Sequence, residues 1–205
     1  MTGIAVVAAY LMGGLPFSSW LVRWSTGADV RLVGSGNPGA TNALRVGGVR
    51  VGLATLVLDI AKGYAAVFLA RGLGVEESLL GAVALAAVVG HVYPVWVRFH
   101  GGNGVATAAG AFLILAPLPL AVAAAVFGLV FGVSRVVSLS SVAAAVTVPA
   151  VEYVTTGRGG GSTELEPVIL WLVLISLLVV ARHHANLRRA WAGEEAQLGT
   201  AKEGS

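Results

Sequence analysis

The chain has 205 residues, of which 57% are hydrophobic and 11% charged, with a formal net charge of +3 and no cysteine. A water-soluble domain carries about 25% charged residues, so this chain cannot cover a globule and its apolar surface must face lipid. Disulfides, thiolate nucleophiles and cysteine metal ligands are excluded, and the basic residues flank apolar stretches instead of forming a nucleic-acid patch.

Seven apolar segments predict an all-α, polytopic integral membrane protein of seven transmembrane helices, some short or irregular. The first, 4–22, lacks a basic leader and is followed by six more, so it reads as a span and not a signal peptide. A polar, glycine-rich loop, 23–48, leads to the second span at 49–70. The third covers 79–97, and the fourth, 104–115, is the weakest. Pro117 and Pro119 predict a turn before the fifth at 118–133. The sixth is 139–154, a Gly/Thr/Ser-rich connection covers 155–163, and the seventh is 167–181. Residues 1–192 are expected to form one membrane domain, with 193–205 as a polar cytoplasmic tail.

Charge sets the orientation. With the amino terminus outside, the inner regions hold Arg23, Arg31, Arg45, Arg50, Arg98, Arg135, Arg182, Arg188, Arg189 and Lys202. The outer loops then hold only Arg71 and Arg158 as basic residues, beside Glu76, Glu77, Glu164 and Glu166. The carboxyl terminus and most of the polar residues fall on the cytoplasmic side.

Polar and ionisable groups survive in such a chain where they face protein, ligand or water, which makes them the candidate site. In the first loop, Gly34, Gly36 and Gly39 allow backbone amides to converge on an anion, with Ser35, Asn37, Thr41, Asn42 and Arg45 beside them. A tight turn capped by Thr41 or Asn42 fits the same residues. Asp59 and Lys62 share one helical face, either as a buried ion pair or as a polar seam near substrate. His91 ends the third span, and Gly101, Gly102, Asn103 and Gly104 lead into a helix whose amino terminus suits phosphate or merely a bend. Ser138 and Ser141 open the sixth span on one face, Ser138 being a cap or a pocket residue. His183, His184 and Asn186 follow the last span, with Arg188 and Arg189 placed to meet anionic headgroups. The histidines lack zinc-ligand spacing, so no metal is expected.

Taken in order, these stretches resemble the acyl-phosphate:glycerol-3-phosphate acyltransferases of bacterial inner membranes. The resemblance is carried by Gly14-Leu15-Pro16, residues 34–45, Asp59-Ile60-Ala61-Lys62-Gly63, Gly90-His91-Val92-Tyr93-Pro94, residues 101–107, residues 135–141, residues 183–186 and Gly193-Glu194-Glu195. The His-x4-Asp signature of other acyltransferases is absent, since Trp96 and Val105 stand five positions after His91 and His100. The resemblance implies a seven-span enzyme of the bacterial cytoplasmic membrane with its active site on the cytoplasmic side. It implies acyl transfer from a fatty acyl phosphate to the 1-hydroxyl of glycerol 3-phosphate, beside membrane lipid. No cofactor and no direct acyl-carrier protein or coenzyme A donor are expected.

The expected roles follow. Ser35, Asn37, Arg45, Lys62 and His183 are the catalytic candidates. Gly34, Gly36, Gly39, Thr41, Asn42, Asp59, His91, Gly101, Gly102, Asn103, Gly104, Ser138, Ser141, His184 and Asn186 are the substrate- and phosphate-binding candidates. Attack is expected to be direct, without an acyl-enzyme on Ser35, because an acyl phosphate already carries a good leaving group. The base is His183, the departing phosphate or the acceptor's own phosphate. The chain departs from the family where lysines are usual, at His100 and Asn103, and where an arginine is usual, at His184. The alternative from another class is a small-anion transporter, which would place its site near mid-membrane and show an internal repeat.

Overall fold

The computed structural model describes residues 1–157 and 167–199. Arg158, Glu164, Glu166 and Lys202, used above for orientation, lie outside the described residues, as does most of the 155–163 connection. The regular elements among the described residues are all helices, and they fall into two compact units, one from the amino terminus to Pro117 and one from Leu118 onward.

The first unit begins with α1 (Thr2–Gly13) and α2 (Phe17–Thr26). The expected first span is thus two helices with a break at Gly14-Leu15-Pro16, because Pro16 has no amide hydrogen to continue the ladder. Next comes α3 (Ala40–Gly72), which starts earlier than the expected 49 and carries a kink at Gly48, with φ of 81°. Only glycine adopts that backbone without strain, so the kink separates the loop-anchored first turns from the apolar span. After α4 (Glu77–Val92) and a short 3-10 turn (Val95–Val97), α5 (Val105–Leu115) completes the unit.

Small residues set how these helices pack. A Cβ on Gly63 would collide with the Thr107 carbonyl, and one on Gly110 with the Ile60 carbonyl, so α3 and α5 touch backbone to backbone. Gly13 against Ala87 and Gly90 against Tyr10 do the same for α1 and α4. Tyr10 Oη donates to the Tyr93 carbonyl at 2.8 Å, and Trp96 Nε1 donates to the Leu11 carbonyl at 3.1 Å. These bonds tie the end of α4 to α1.

The second unit holds α6 (Pro117–Ser134), α7 (Val137–Gly157), α8 (Pro167–Arg182) and α9 (His184–Trp191). Pro117 opens α6, where a missing amide hydrogen costs nothing, in line with the turn expected from the two prolines. Ile169, Leu172, Ile175 and Val179 are buried on α8, which packs on α7. The polar segment after α9 is folded back through Leu198, whose amide donates to the Arg135 carbonyl at 2.9 Å.

Among the described residues, five helical segments are long and apolar enough to cross a membrane, and a sixth counts if α8 and α9, bent by 53°, form one span. The expected fourth span is α5, whose 11 residues rise about 16 Å against a hydrocarbon core of roughly 30 Å. Leu53, Val57 and Phe68 on α3, Leu129 and Val133 on α6 and Leu177 on α8 are exposed, as lipid-facing side chains must be.

Candidate active site

The loop between α2 and α3 is built around Asn42. Its Nδ2 donates to the Val30 and Val33 carbonyls, both at 2.9 Å, and its Oδ1 accepts the Ser35 amide at 2.9 Å. Asn42 is buried, and beneath it Val22, Val30 and Ala43 form a small core with Val46 and Val51. Gly34 and Gly36 take left-handed φ of 63° and 71°. Asp29 clamps the loop start, accepting from Arg31 Nη2 at 2.6 Å and from Arg31 Nε and its amide at 3.0 Å. The Arg31 side chain, then its amide, hold the Asp29 carboxyl at about 2.

This geometry alters the expected anion nest. The amides of Ser35, Gly36 and Gly39 donate within the loop, to Asn42 Oδ1 and the Val33 and Asn37 carbonyls. A phosphate on this loop must therefore be met by side chains more than by a ring of amides. Ser35 and Arg45 are exposed, and Asn37 and Thr41 are half-buried.

Beside this loop the first unit holds a pocket of about 260 Å³ of empty space, part of it open to solvent. Its walls are the α1–α2 break with Ser18 and Ser19, Pro38, Asp59 and Lys62 of α3, His91, and the segment from Pro94 to Gly102. Of the expected residues it gathers Asp59, Lys62, His91, Gly101 and Gly102. Ser35, Asn37 and Arg45 do not line it. Lys62, only 5% exposed, binds Asp59 Oδ1 at 2.7 Å and the Leu15 carbonyl at 3.0 Å, with the Phe17 ring beneath it. Its charge is matched by Asp59, the buried-ion-pair form of the two readings.

His91 Nδ1 lies 3.1 Å from Thr107 Oγ1 and 3.7 Å from Asp59 Oδ1. The His91 and Val92 carbonyls accept the Gly102 and Gly101 amides, each at 3.2 Å. A Cβ on Gly101 would strike the His91 carbonyl and one on Gly102 the imidazole. Gly104 caps α5 with φ of 87°, and Asn103 between them is half-buried. His100 lines the pocket mouth, and its Nδ1 donates to the Arg98 carbonyl at 2.6 Å.

The second unit carries its own polar group. Glu195 Oε1 accepts from Asn186 Nδ2 at 2.7 Å and from Ser138 Oγ at 3.1 Å, and Oε2 accepts from Arg189 Nε at 2.7 Å. Burial works to raise the Glu195 carboxyl, but these three donors outweigh it and hold it below the usual carboxylate range. Ser141 and His183 are buried, and His184 is exposed with Nδ1 on the Ala181 carbonyl at 3.0 Å. His183 Nδ1 donates to the Val179 carbonyl at 2.7 Å, so a neutral ring carries its lone pair on Nε2.

Sequence reasoning missed three contributors. Glu195 stands out in the sequence only within the run Gly193-Glu194-Glu195, since a carboxylate in a polar tail carries no signal of its own. Ser18 and Ser19 read as ordinary residues of an apolar span. Their signal was the Gly-Leu-Pro break just before them, which with them lines the pocket.

Known proteins resemble this chain over nearly its whole length. A family model described as glycerol-3-phosphate acyltransferase matches residues 3–193. A glycerol-3-phosphate acyltransferase of Syntrophotalea carbinolica is 43% identical, with 94% of this chain and 95% of that protein covered. One from Myxococcus xanthus is 46% identical over 89% of this chain and 97% of its own length. Among solved structures, the integral membrane glycerol 3-phosphate acyltransferase PlsY (YgiH), in its glycerol 3-phosphate form, superposes with a TM-score of 0.87 at 33% identity. That match covers 97% of this chain and 96% of the other. The same protein in its lysophosphatidic acid form gives 0.84. With a family model matched over residues 3–193 and relatives above 40% identical over nearly their whole length, the chain belongs to the glycerol-3-phosphate acyltransferase family and is an acyltransferase of the membrane.

Proposed function

We propose that this protein transfers the acyl group of a fatty acyl phosphate to the 1-hydroxyl of sn-glycerol 3-phosphate, giving 1-acyl-sn-glycerol 3-phosphate and phosphate. The observation that carries the reading is the likeness, over nearly the whole chain, to a protein solved both with the acceptor and with the acylated product. The acceptor oxygen attacks the acyl carbon, the bond from that carbon to the phosphate oxygen breaks, and the hydroxyl proton leaves to a base. His183 Nε2 is suited to take it, and the departing phosphate is the other acceptor of the proton.

Arg45, with Ser35, Asn37 and Thr41, holds one phosphate group, and the Gly101–Gly104 loop at the amino terminus of α5 meets the other. The second unit offers a polar surface of its own in Ser141, Ser138 and Asn186, the last two set by Glu195. Holding both substrates in reach accounts for about 7–11 kcal/mol of the barrier in well-oriented systems, so no acyl-enzyme is required.

The chain lies in the bacterial inner membrane with its amino terminus outside. Residues 1–192 act as one domain and 193–205 as its tail, with the polar residues at the cytoplasmic side. The short α5 serves as the fourth of seven crossings, where the glycine loop before it shortens the apolar path. The positive-inside bias supports that orientation. Purified protein given palmitoyl phosphate and labelled glycerol 3-phosphate is expected to make labelled lysophosphatidic acid, and to make none from palmitoyl coenzyme A. Absence of product from the acyl phosphate, or equal product from the thioester, would refute the reading.

A further inference from the structure

The Asp59–Lys62 pair sits where the walls of the pocket meet. Lys62 Nζ donates to the Leu15 carbonyl, which also accepts the Phe17 amide at 3.0 Å, and so ties the α1–α2 break to α3. Asp59 Oδ1 faces His91 Nδ1, which also meets Thr107 Oγ1. His91 holds the start of the glycine loop through its carbonyl on the Gly102 amide, and Thr107 stands in the first turn of α5, just past the loop's end. Both ends of the loop therefore refer back to one carboxylate oxygen.

Two further groups share the pocket. Ser18 Oγ and Ser19 Oγ are buried and make no protein hydrogen bond among the described residues, and Ser18 as a whole is only 3% exposed. Buried hydroxyls of native proteins are almost always partnered, so these require a ligand. Lys62 has three hydrogens and two protein acceptors, Asp59 and Leu15. Phosphate fits poorly at this inner end, because the Asp59 carboxylate lies in the wall and cancels the lysine charge. A water molecule both accepts from an ammonium and donates to a hydroxyl oxygen, and the polar pocket is roomy enough to hold one.

We propose that ordered water joins Ser18 and Ser19 to Lys62, and that the hydrated Asp59–Lys62 pair is a positioning device. It sets the Gly101–Gly104 loop for a phosphate group without touching the reacting atoms. This rests on the phosphate role proposed above for that loop.

The test replaces both charges at once, as Asp59→Leu/Lys62→Met, because a single change strands a buried charge and threatens folding. The double variant is expected to stay folded, to raise KM for one phosphorylated substrate roughly tenfold, and to keep kcat within about threefold. Ser18→Ala/Ser19→Ala is expected to shift the same KM in the same direction, by less. Unchanged KM in the folded double variant, or a loss confined to kcat, would overturn the positioning role. A high-resolution map of the unaltered protein is expected to show density bridging Ser18, Ser19 and Lys62, and a dry inner pocket would overturn the water. Inorganic phosphate affinity, measured by calorimetry on both proteins, is expected to weaken in the double variant. That readout separates the inference from the function reading, which fails on its own if the unaltered protein makes no lysophosphatidic acid.

Discussion

Replacing Gly63 by alanine should destabilise the first unit far more than its one added methyl suggests. The new Cβ would overlap the Thr107 carbonyl, a backbone atom that cannot rotate away, so α3 and α5 must separate or bend. Overpacking of this kind costs about 1–3 kcal/mol, and the lost backbone contact around Gly110 and Ile60 adds to it. Gly128→Ala is the matched control, because nothing lies within 4 Å of its added Cβ and it sits inside α6. There the helix propensity of alanine is worth up to about 1 kcal/mol in the stabilising direction. For a chain of this size each kcal/mol moves the melting temperature by roughly 2–4 °C. Thermal unfolding of the detergent-purified variants, followed by tryptophan fluorescence, should therefore show Gly63→Ala several degrees below the parent and Gly128→Ala at or above it. Equal melting temperatures for the two variants would refute the backbone contact between α3 and α5.

Other consequences are equally direct. Asn42→Ala removes three hydrogen bonds from the 27–39 loop and strands a buried cluster of backbone groups; a loss of about 1–3 kcal/mol and faster proteolysis within the loop are expected. Glu195→Gln keeps the shape but removes the charge that holds Arg189, Asn186 and Ser138; limited proteolysis should cut the tail sooner, and turnover should fall. The depressed Asp29 carboxyl contributes stability that is complete above its ordinary value of 3.8 and is lost as pH falls towards about 2. Asp29→Asn should flatten the acid limb of a stability–pH curve in that window, and an unchanged limb would remove the Arg31 clamp from the account. Gly104→Ala forces a side chain into a left-handed backbone, costing about 1–2 kcal/mol, and should raise KM for a phosphorylated substrate.

Much of this was legible in the chain because membrane helices announce themselves by long apolar runs. The positions of α3, α4, α6, α7 and α8 follow from those runs, and the Asp59–Lys62 pair follows from a three-residue spacing. The runs hid what hydrophobicity does not encode. Gly14-Leu15-Pro16 broke the first span, and the helical turns before Gly48 sat in a stretch whose glycines read as loop. Glycine density in 34–39 fits an anion nest or a tight turn alike, whereas the capture of the Ser35 amide by Asn42, seven positions on, is not visible in sequence. Glu195 joined Ser138 across 57 residues, a separation that no local pattern reports.

The central claim, direct transfer between two bound phosphorylated molecules, is tested by a single-turnover experiment with excess protein and acyl-labelled acyl phosphate. The account predicts no phosphate release and no labelled protein until glycerol 3-phosphate is added, then phosphate and lysophosphatidic acid in equal amounts. A burst of phosphate with label retained on the protein before the acceptor arrives would contradict it.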